Sequence, residues 1–198
     1  MKLLYTKRSP YARKVRVIAL EKQVPLEFID EDLAKKSVLL KTSNPLAKVP
    51  TLVLDNGETL FDSPVIAQYL DGLNDKVVLI PRRGMEKFKV LRWEAIADGL
   101  MDISIACYME KMRHAQNFHA QFVKNQEEAM LNTCRYCEEH LVELQPLTLA
   151  PIAVASAIGY VNFRLPHMIT KEDFPKLLAW FEIFSKRPSM AQTVPVAS

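Results

Sequence analysis

The first apolar run is short. Leu3-Leu4-Tyr5 lies between Lys2 and Thr6-Lys7, and a run of that length bounded by polar residues predicts a buried strand over 2–5. From Pro10 to about Lys22 the pattern becomes amphipathic at helical spacing. Ser9-Pro10 supplies the helix start, with serine as N-cap and proline at the first helical position, where a missing N–H costs nothing. Leu26-Glu27-Phe28-Ile29, introduced by Pro25, predicts a second strand. Residues 32–43 carry an irregular helical pattern that stops at Ser43-Asn44-Pro45. Val49 to Leu54 and Glu58 to Phe61 flank the turn Asp55-Asn56-Gly57, the pattern of a hairpin. Asp62-Ser63-Pro64 then opens a helix running to about Leu73, with Ser63 as its expected N-cap. The order is β-α-β-α-β-β-α in about 75 residues, an α/β domain over 1–75.

A turn rich in proline and arginine, Ile80-Pro81-Arg82-Arg83-Gly84, lies in a linker over 76–84. Beyond it the texture is helical, and 85–198 reads as an all-α domain. Residues 85–113 and 118–144 fit two long amphipathic helices. The first shows Phe88, Leu91, Arg92, Ala95, Ile96, Gly99 and Ile103 at helical spacing. Residues 148–164 are apolar on nearly every side and predict a buried helix. Residues 175–186 predict another, followed by a short turn at Pro188-Ser189.

Composition adds bounds. The chain has 198 residues, 49% hydrophobic, with a net charge of +3, enough length for a sizeable core in two small domains. Basic residues are mostly interleaved with acids, which argues against nucleic-acid binding. No apolar run reaches the roughly 18 residues of a membrane span. The N-terminus has no apolar signal-peptide core, so the expected compartment is the cytoplasm, where the three cysteines would stay reduced.

The exception to the mixed charge is the stretch Lys7, Arg8, Arg13, Lys14 and Arg16, which holds no acid. Cations in the first turn of a helix oppose its dipole. The cluster therefore reads either as a solvated basic face or as a device that raises the potential for an anion at the helix N-terminus. Cys134-x-x-Cys137 with His140 has the spacing of half a metal site, but it lies well inside a predicted helix and has no second pair. No metal is expected. His114, His119 and His167 have no spacing that suggests a site. Ser9-Pro10-Tyr11-Ala12 contains no cysteine, which argues against disulfide exchange from this turn.

Five stretches occur in a distinctive order: Ser9-Pro10-Tyr11-Ala12-Arg13-Lys14-Val15-Arg16, Asn44-Pro45-Leu46-Ala47-Lys48-Val49-Pro50-Thr51-Leu52, Leu60-Phe61-Asp62-Ser63-Pro64-Val65-Ile66, the helix from Ala153 to Arg164, and Arg187-Pro188-Ser189. Together they resemble a small bacterial glutathione transferase over essentially the whole chain. The resemblance implies a thioredoxin-like domain followed by an all-α helical domain, acting as a homodimer without a further cofactor. It implies that Ser9 faces the glutathione sulfur, and hydrogen bonding plus the helix dipole would favour the nucleophilic thiolate. Val49-Pro50 matches the family's cis-proline turn, where the Val49 backbone pairs with the cysteinyl unit. Asp62 and Ser63 match the pair that binds the γ-glutamyl end. Lys36 or Lys48 would meet the glycine carboxylate. The second substrate would be a small hydrophobic electrophile in a groove lined from helix 85–113, with Met101, Ile105, Tyr108 and Met112 as candidates. The alternatives are a non-catalytic interaction or stress-response module on the same fold, or a glutathione-dependent isomerase or peroxidase. One departure stands out: the buried helix opens Thr148-Leu149-Ala150-Pro151, without the acid of the family's capping box.

Overall fold

The computed structural model describes residues 1–196. Its elements are β1 (Lys2–Tyr5), α1 (Pro10–Glu21), β2 (Glu27–Asp30), α2 (Val38–Ser43), β3 (Thr51–Val53), β4 (Thr59–Leu60), α3 (Ser63–Gly72), α4 (Met85–Arg113), α5 (Ala120–Glu139), α6 (Leu149–Arg164), α7 (Pro175–Phe184) and α8 (Pro188–Ala191). The expected β-α-β-α-β-β-α order followed by helices is present. The helical stretch expected over 32–43 shrinks to α2, which begins only after Ser37. The chain falls into two compact units. One holds residues from Met1 to Lys87 together with those from Pro188 onward, and the other runs from Phe88 to Arg187.

In the first unit the sheet order is β2-β1-β3-β4. The strand β1 pairs in parallel with β2 and antiparallel with β3, and β3 pairs antiparallel with β4. Apolar residues at alternate and helical positions meet in one core: Leu3 and Leu4 of β1, Val15 and Ile18 of α1, Leu52 of β3, and Ile66 and Leu70 of α3 are all buried. The segment after α3 is tied to this core through a buried polar knot. The Lys22 Nζ donates to the carbonyl oxygens of Asp71 at 2.9 Å, Asn74 at 2.5 Å and Val77 at 2.6 Å. Asp71 Oδ1 accepts from Lys22 Nζ and from the Leu79 N–H, and Oδ2 accepts from the Ile80 N–H and Arg82 Nη1. The linker expected over 76–84 is thus tied to α1 and α3 of its own unit. The short α8, read from sequence as part of the helical region, packs on α1.

In the second unit every residue of α6 from 149 to 161 is buried. Its start is capped by Thr148 despite the missing acid, with the Ala150 N–H donating to Thr148 Oγ1 at 3.3 Å. The helix expected over 118–144 breaks at His140, and a 3-10 turn covers Leu141–Leu144. The break is fixed by distant partners. Trp93 Nε1 at 2.9 Å and Arg92 Nη2 at 3.1 Å, both on α4, donate to Glu143 Oε2. Helix α7 has no local side-chain cap. Glu138 of α5 takes that place, accepting from the Lys176 N–H at 3.1 Å and the Leu177 N–H at 2.6 Å.

Candidate functional site

The register of the sheet gathers four connecting segments at one end. Tyr5, the last residue of β1, lies opposite Asp30, the last of β2. Leu4 lies opposite Thr51, the first residue of β3, and Leu52 opposite Leu60, the last of β4. The chain therefore leaves β1, β2 and β4, and enters β3, at the same sheet end. Ser9 follows β1, Lys36 follows β2, Val49 precedes β3, and Asp62-Ser63 follows β4.

Each of these positions carries polar groups that the fold leaves open. Ser9 is the N-cap of α1, and its Oγ accepts from the Ala12 N–H at 3.2 Å. That bond uses one lone pair, so the hydroxyl proton stays available to an acceptor at the positive end of the helix dipole. The bond between Val49 and Pro50 is cis. The loop before it is held by Asn44, whose Nδ2 donates to Lys48 O at 3.1 Å and to Thr51 Oγ1 at 3.0 Å while its Oδ1 accepts from the Leu46 N–H at 2.9 Å. Among the described residues, neither the N–H nor the C=O of Val49 bonds to another backbone group. The backbone of this half-exposed residue is thus left unpaired beside β3.

At α3 the structure corrects the expected cap. Asp62, not Ser63, is the N-cap, and its carboxylate makes no capping bond. Ser63 is the first helical residue, because Pro64 fits at either of the first two positions. The residue is buried overall, at 2% exposure, and its hydroxyl has no hydrogen-bond partner among the described residues, yet it is not one of the fully buried unpartnered groups, so the oxygen itself stays accessible. An accessible hydroxyl without a protein partner beside a helix N-terminus is a donor open to an anion.

Lys36 has φ of +50°. The bend is held on both sides, by the Lys36 N–H donating to Asp32 O at 2.7 Å and by Glu31. Buried Glu31 accepts from Ser37 Oγ at 2.7 Å and from the Ser37 N–H at 3.2 Å, and Ser37 Oγ in turn accepts from the Leu40 N–H to cap α2. Lys36 is half-exposed and Lys48 exposed. Neither ammonium has a carboxylate partner among the described residues. Sequence reasoning missed Glu31 and Asn44. Asn44-Pro45 was legible only as a helix stop, and Glu31 had no local signal.

The basic cluster is not one surface. Lys7 pairs with Asp30 at 3.7 Å. The Arg16 guanidinium lies over the rings of Tyr5 at 4.9 Å and Phe28 at 5.7 Å. Arg13 and Lys14 are buried. Tyr5 itself is core, as its strand position suggested.

In the second unit, Met101 is buried, Ile105 and Tyr108 are half-buried, and Met112 is exposed. Tyr108 Oη accepts from Arg164 Nη1 at 3.2 Å. Cys107, Cys134 and Cys137 are free thiols in the core. Burial pushes the Cys137 thiol up to about 12 and Cys134 higher still. Among the described residues no three His, Cys, Asp or Glu side chains group as metal ligands. No described helix is long and apolar enough to cross a membrane.

Comparison with known proteins supplies the context. The family model for the glutathione S-transferase N-terminal domain matches residues 8–84. The chain is 36% identical over 199 residues to the uncharacterized GST-like protein YibF of Escherichia coli K12, covering 98% of each. Among solved structures, a glutathione transferase family member of Pseudomonas fluorescens Pf-5, with bound S-(propanoic acid)-glutathione, superposes with a TM-score of 0.90 at 36% identity over 100% of each chain. A glutathione S-transferase of Methylobacillus flagellatus KT, with glutathione bound, superposes with a TM-score of 0.93 at 36% identity, covering 98% of this chain and 99% of that one.

Proposed function

The chain belongs to the glutathione S-transferase family, and from that premise we propose that it binds glutathione at the sheet end and transfers its sulfur to a small hydrophobic electrophile. The observation that carries the reading is the convergence there of three open groups: the Ser9 hydroxyl, the Val49 backbone and the Ser63 hydroxyl. Their order across the sheet end, Ser9 after β1, Val49 before β3 and Ser63 after β4, suits an extended tripeptide with a thiol in the middle.

In this reading the cysteinyl unit of glutathione pairs with the N–H and C=O of Val49 as an added strand. Ser63 and the N-terminus of α3 hold the γ-glutamyl carboxylate. Asp62 accepts from the γ-glutamyl ammonium, its carboxylate being free of a capping role. Lys36 meets the glycine carboxylate. The Ser9 O–H donates to the sulfur. Together with the α1 dipole it favours the thiolate over the thiol and so lowers the thiol pKa from its ordinary value near ~8.5.

The thiolate then attacks an electrophilic carbon. A C–S bond forms from the sulfur lone pair. The electron pair of the broken bond departs with a leaving group or, in an addition, ends on a neighbouring carbon that takes a proton. No further cofactor enters the reaction. The work is done by thiolate stabilisation and by bringing the reactants together. Relatives of this chain hold glutathione or a glutathione S-conjugate, which supports the same ligand here. The active form in this reading is a homodimer. Met85 and Phe88, at 68% and 61% exposure on α4, supply apolar surface for a second copy. Three reduced cysteines fit the cytoplasm, where the reaction would remove reactive electrophiles.

Titration calorimetry with glutathione and with an S-alkyl glutathione tests the reading. Saturable binding of one molecule per chain, weakened in Ser63→Ala and Asp62→Ala, is the expected result. No binding at millimolar glutathione would overturn it in favour of an interaction module.

A further inference from the structure

Arg13 is the least explained charge in the first unit. It is 3% exposed. Among the described residues its guanidinium meets one polar partner, the Met190 carbonyl at 3.3 Å from Nη2, and its Nε has none. That carbonyl does not need it, because the Thr193 N–H at 3.3 Å and Thr193 Oγ1 at 3.2 Å already donate there. The charges around it do not neutralise it either. On its own helix the neighbours are Arg16, which is like-charged, and Glu21, which accepts from Ser189 Oγ at 2.5 Å. From β1 and β2, Tyr5 and Asp30 face Arg16 rather than Arg13. From α3, Asp71 is taken by Lys22 and Arg82. Lys14 lies next in sequence and is also buried. Burial and Arg16 hold the Arg13 pKa down to about 10, which still leaves the group charged at neutral pH.

A buried cation without a counter-charge is costly, and a fold gains more from an apolar side chain of similar volume. Its position supplies a reason for it. Arg13 is four residues after Ser9, and its N–H donates to the Ser9 carbonyl at 2.9 Å. Residues four apart share a helix face, and side chains lean toward the helix N-terminus. Arg13 therefore stands one turn after Ser9 on the same side of α1.

We propose that Arg13, braced by the α8 segment at Met190, is a positioning residue whose buried charge strengthens the positive potential at Ser9 and so favours the thiolate of bound glutathione. The proposal rests on the glutathione reading above. Its counter-charge is the substrate's own sulfur, present only when the site is filled. The low dielectric around a buried guanidinium lets it act over one helical turn with little screening.

The test is the pH titration of the bound thiol, followed by thiolate absorbance in the ultraviolet, in wild type, Arg13→Met, Arg13→Gln and Arg13→Lys. Methionine keeps the volume. Glutamine is a neutral residue that can still reach the Met190 carbonyl, and it serves if methionine fails to fold. The expected result is a thiol pKa raised by about one pH unit in both neutral variants, a ~10-fold loss of thiolate at fixed pH below it. The rate, kcat/KM, should fall equally at pH 6.5 and recover at pH 9, with lysine close to wild type. An unchanged thiol pKa in a folded, glutathione-binding neutral variant would overturn the proposal while leaving the glutathione reading intact. Failure of the wild type to bind glutathione would overturn both.

Discussion

Lys22 and Asp71 form an ion pair sealed from water, with Nζ 3.2 Å from Oδ1 and side chains at 0% and 2% exposure. The pair joins α1 to α3 and orders the segment that follows. Asp71→Asn keeps the shape but leaves the ammonium without a counter-charge. It should lower stability by about 3–5 kcal/mol, the usual cost of breaking a buried pair from one side. Urea unfolding measures this directly. A change below about 1 kcal/mol would mean that the three carbonyls around Lys22 suffice.

Ser63→Ala should separate binding from folding. The hydroxyl has no partner among the described residues, so its removal leaves nothing newly unsatisfied there, and the melting temperature should stay near that of wild type. A hydrogen bond to a charged ligand group contributes about 1.5–3 kcal/mol. The variant should therefore bind glutathione roughly 10- to 100-fold more weakly, as read by calorimetry.

The contrast between Ser63 and Ser9 shows what a sequence discloses. Both serines stand before proline, and both read as N-caps from that local grammar. Ser9 is one. Ser63 is not, because α3 starts one residue earlier with Asp62 as its cap, and local pattern does not resolve a one-residue shift. On α4 the period was right and the face was not. The helix runs over the expected residues, but Val90, Trp93, Ala97, Leu100, Ser104 and Cys107 are buried while Phe88 is 61% exposed. Apolar residues lie on several sides of this helix, so periodicity alone does not say which side faces the core. Glu143 and Glu138 act across tens of residues of sequence, and no window along the chain contains both a donor on α4 and its acceptor. The helix starts at Ser9-Pro10 and Ser63-Pro64 could be read because Ser-Pro grammar is local; the roles given to Ser9, Val49, Asp62 and Ser63 came only from the family resemblance. The burial of Arg13 could not, since it depends on α8 near the far end of the chain.

The three cysteines should be silent in the native protein. Burial disfavours each thiolate, raising Cys107 and Cys134 as well as Cys137, the last to about 12. A thiol reagent at pH 8 should label none of them within minutes, and all three in denaturant. The sign for stability follows. These thiols ionise more readily unfolded than folded, so their contribution is whole below about pH 8.5. It declines as pH rises from there toward the folded values. Urea midpoints at pH 7.5 and 10 should show that fall, and a triple cysteine-to-alanine variant should show less of it.

Lys36→Gln should weaken glutathione binding several-fold at low salt. The gap from wild type should narrow as salt rises, because a half-exposed ammonium acts through a screened charge. Lys48→Gln should have the smaller effect. Equal losses in the two variants would mean that both lysines share the glycine carboxylate.

The crystal structure of the protein with glutathione tests the central claim most directly. The account predicts the cysteinyl N–H and C=O paired with the backbone of Val49, the sulfur within hydrogen-bond reach of Ser9 Oγ, and the γ-glutamyl carboxylate on Ser63. Glutathione held elsewhere, with the Val49 backbone still unpaired, would contradict it.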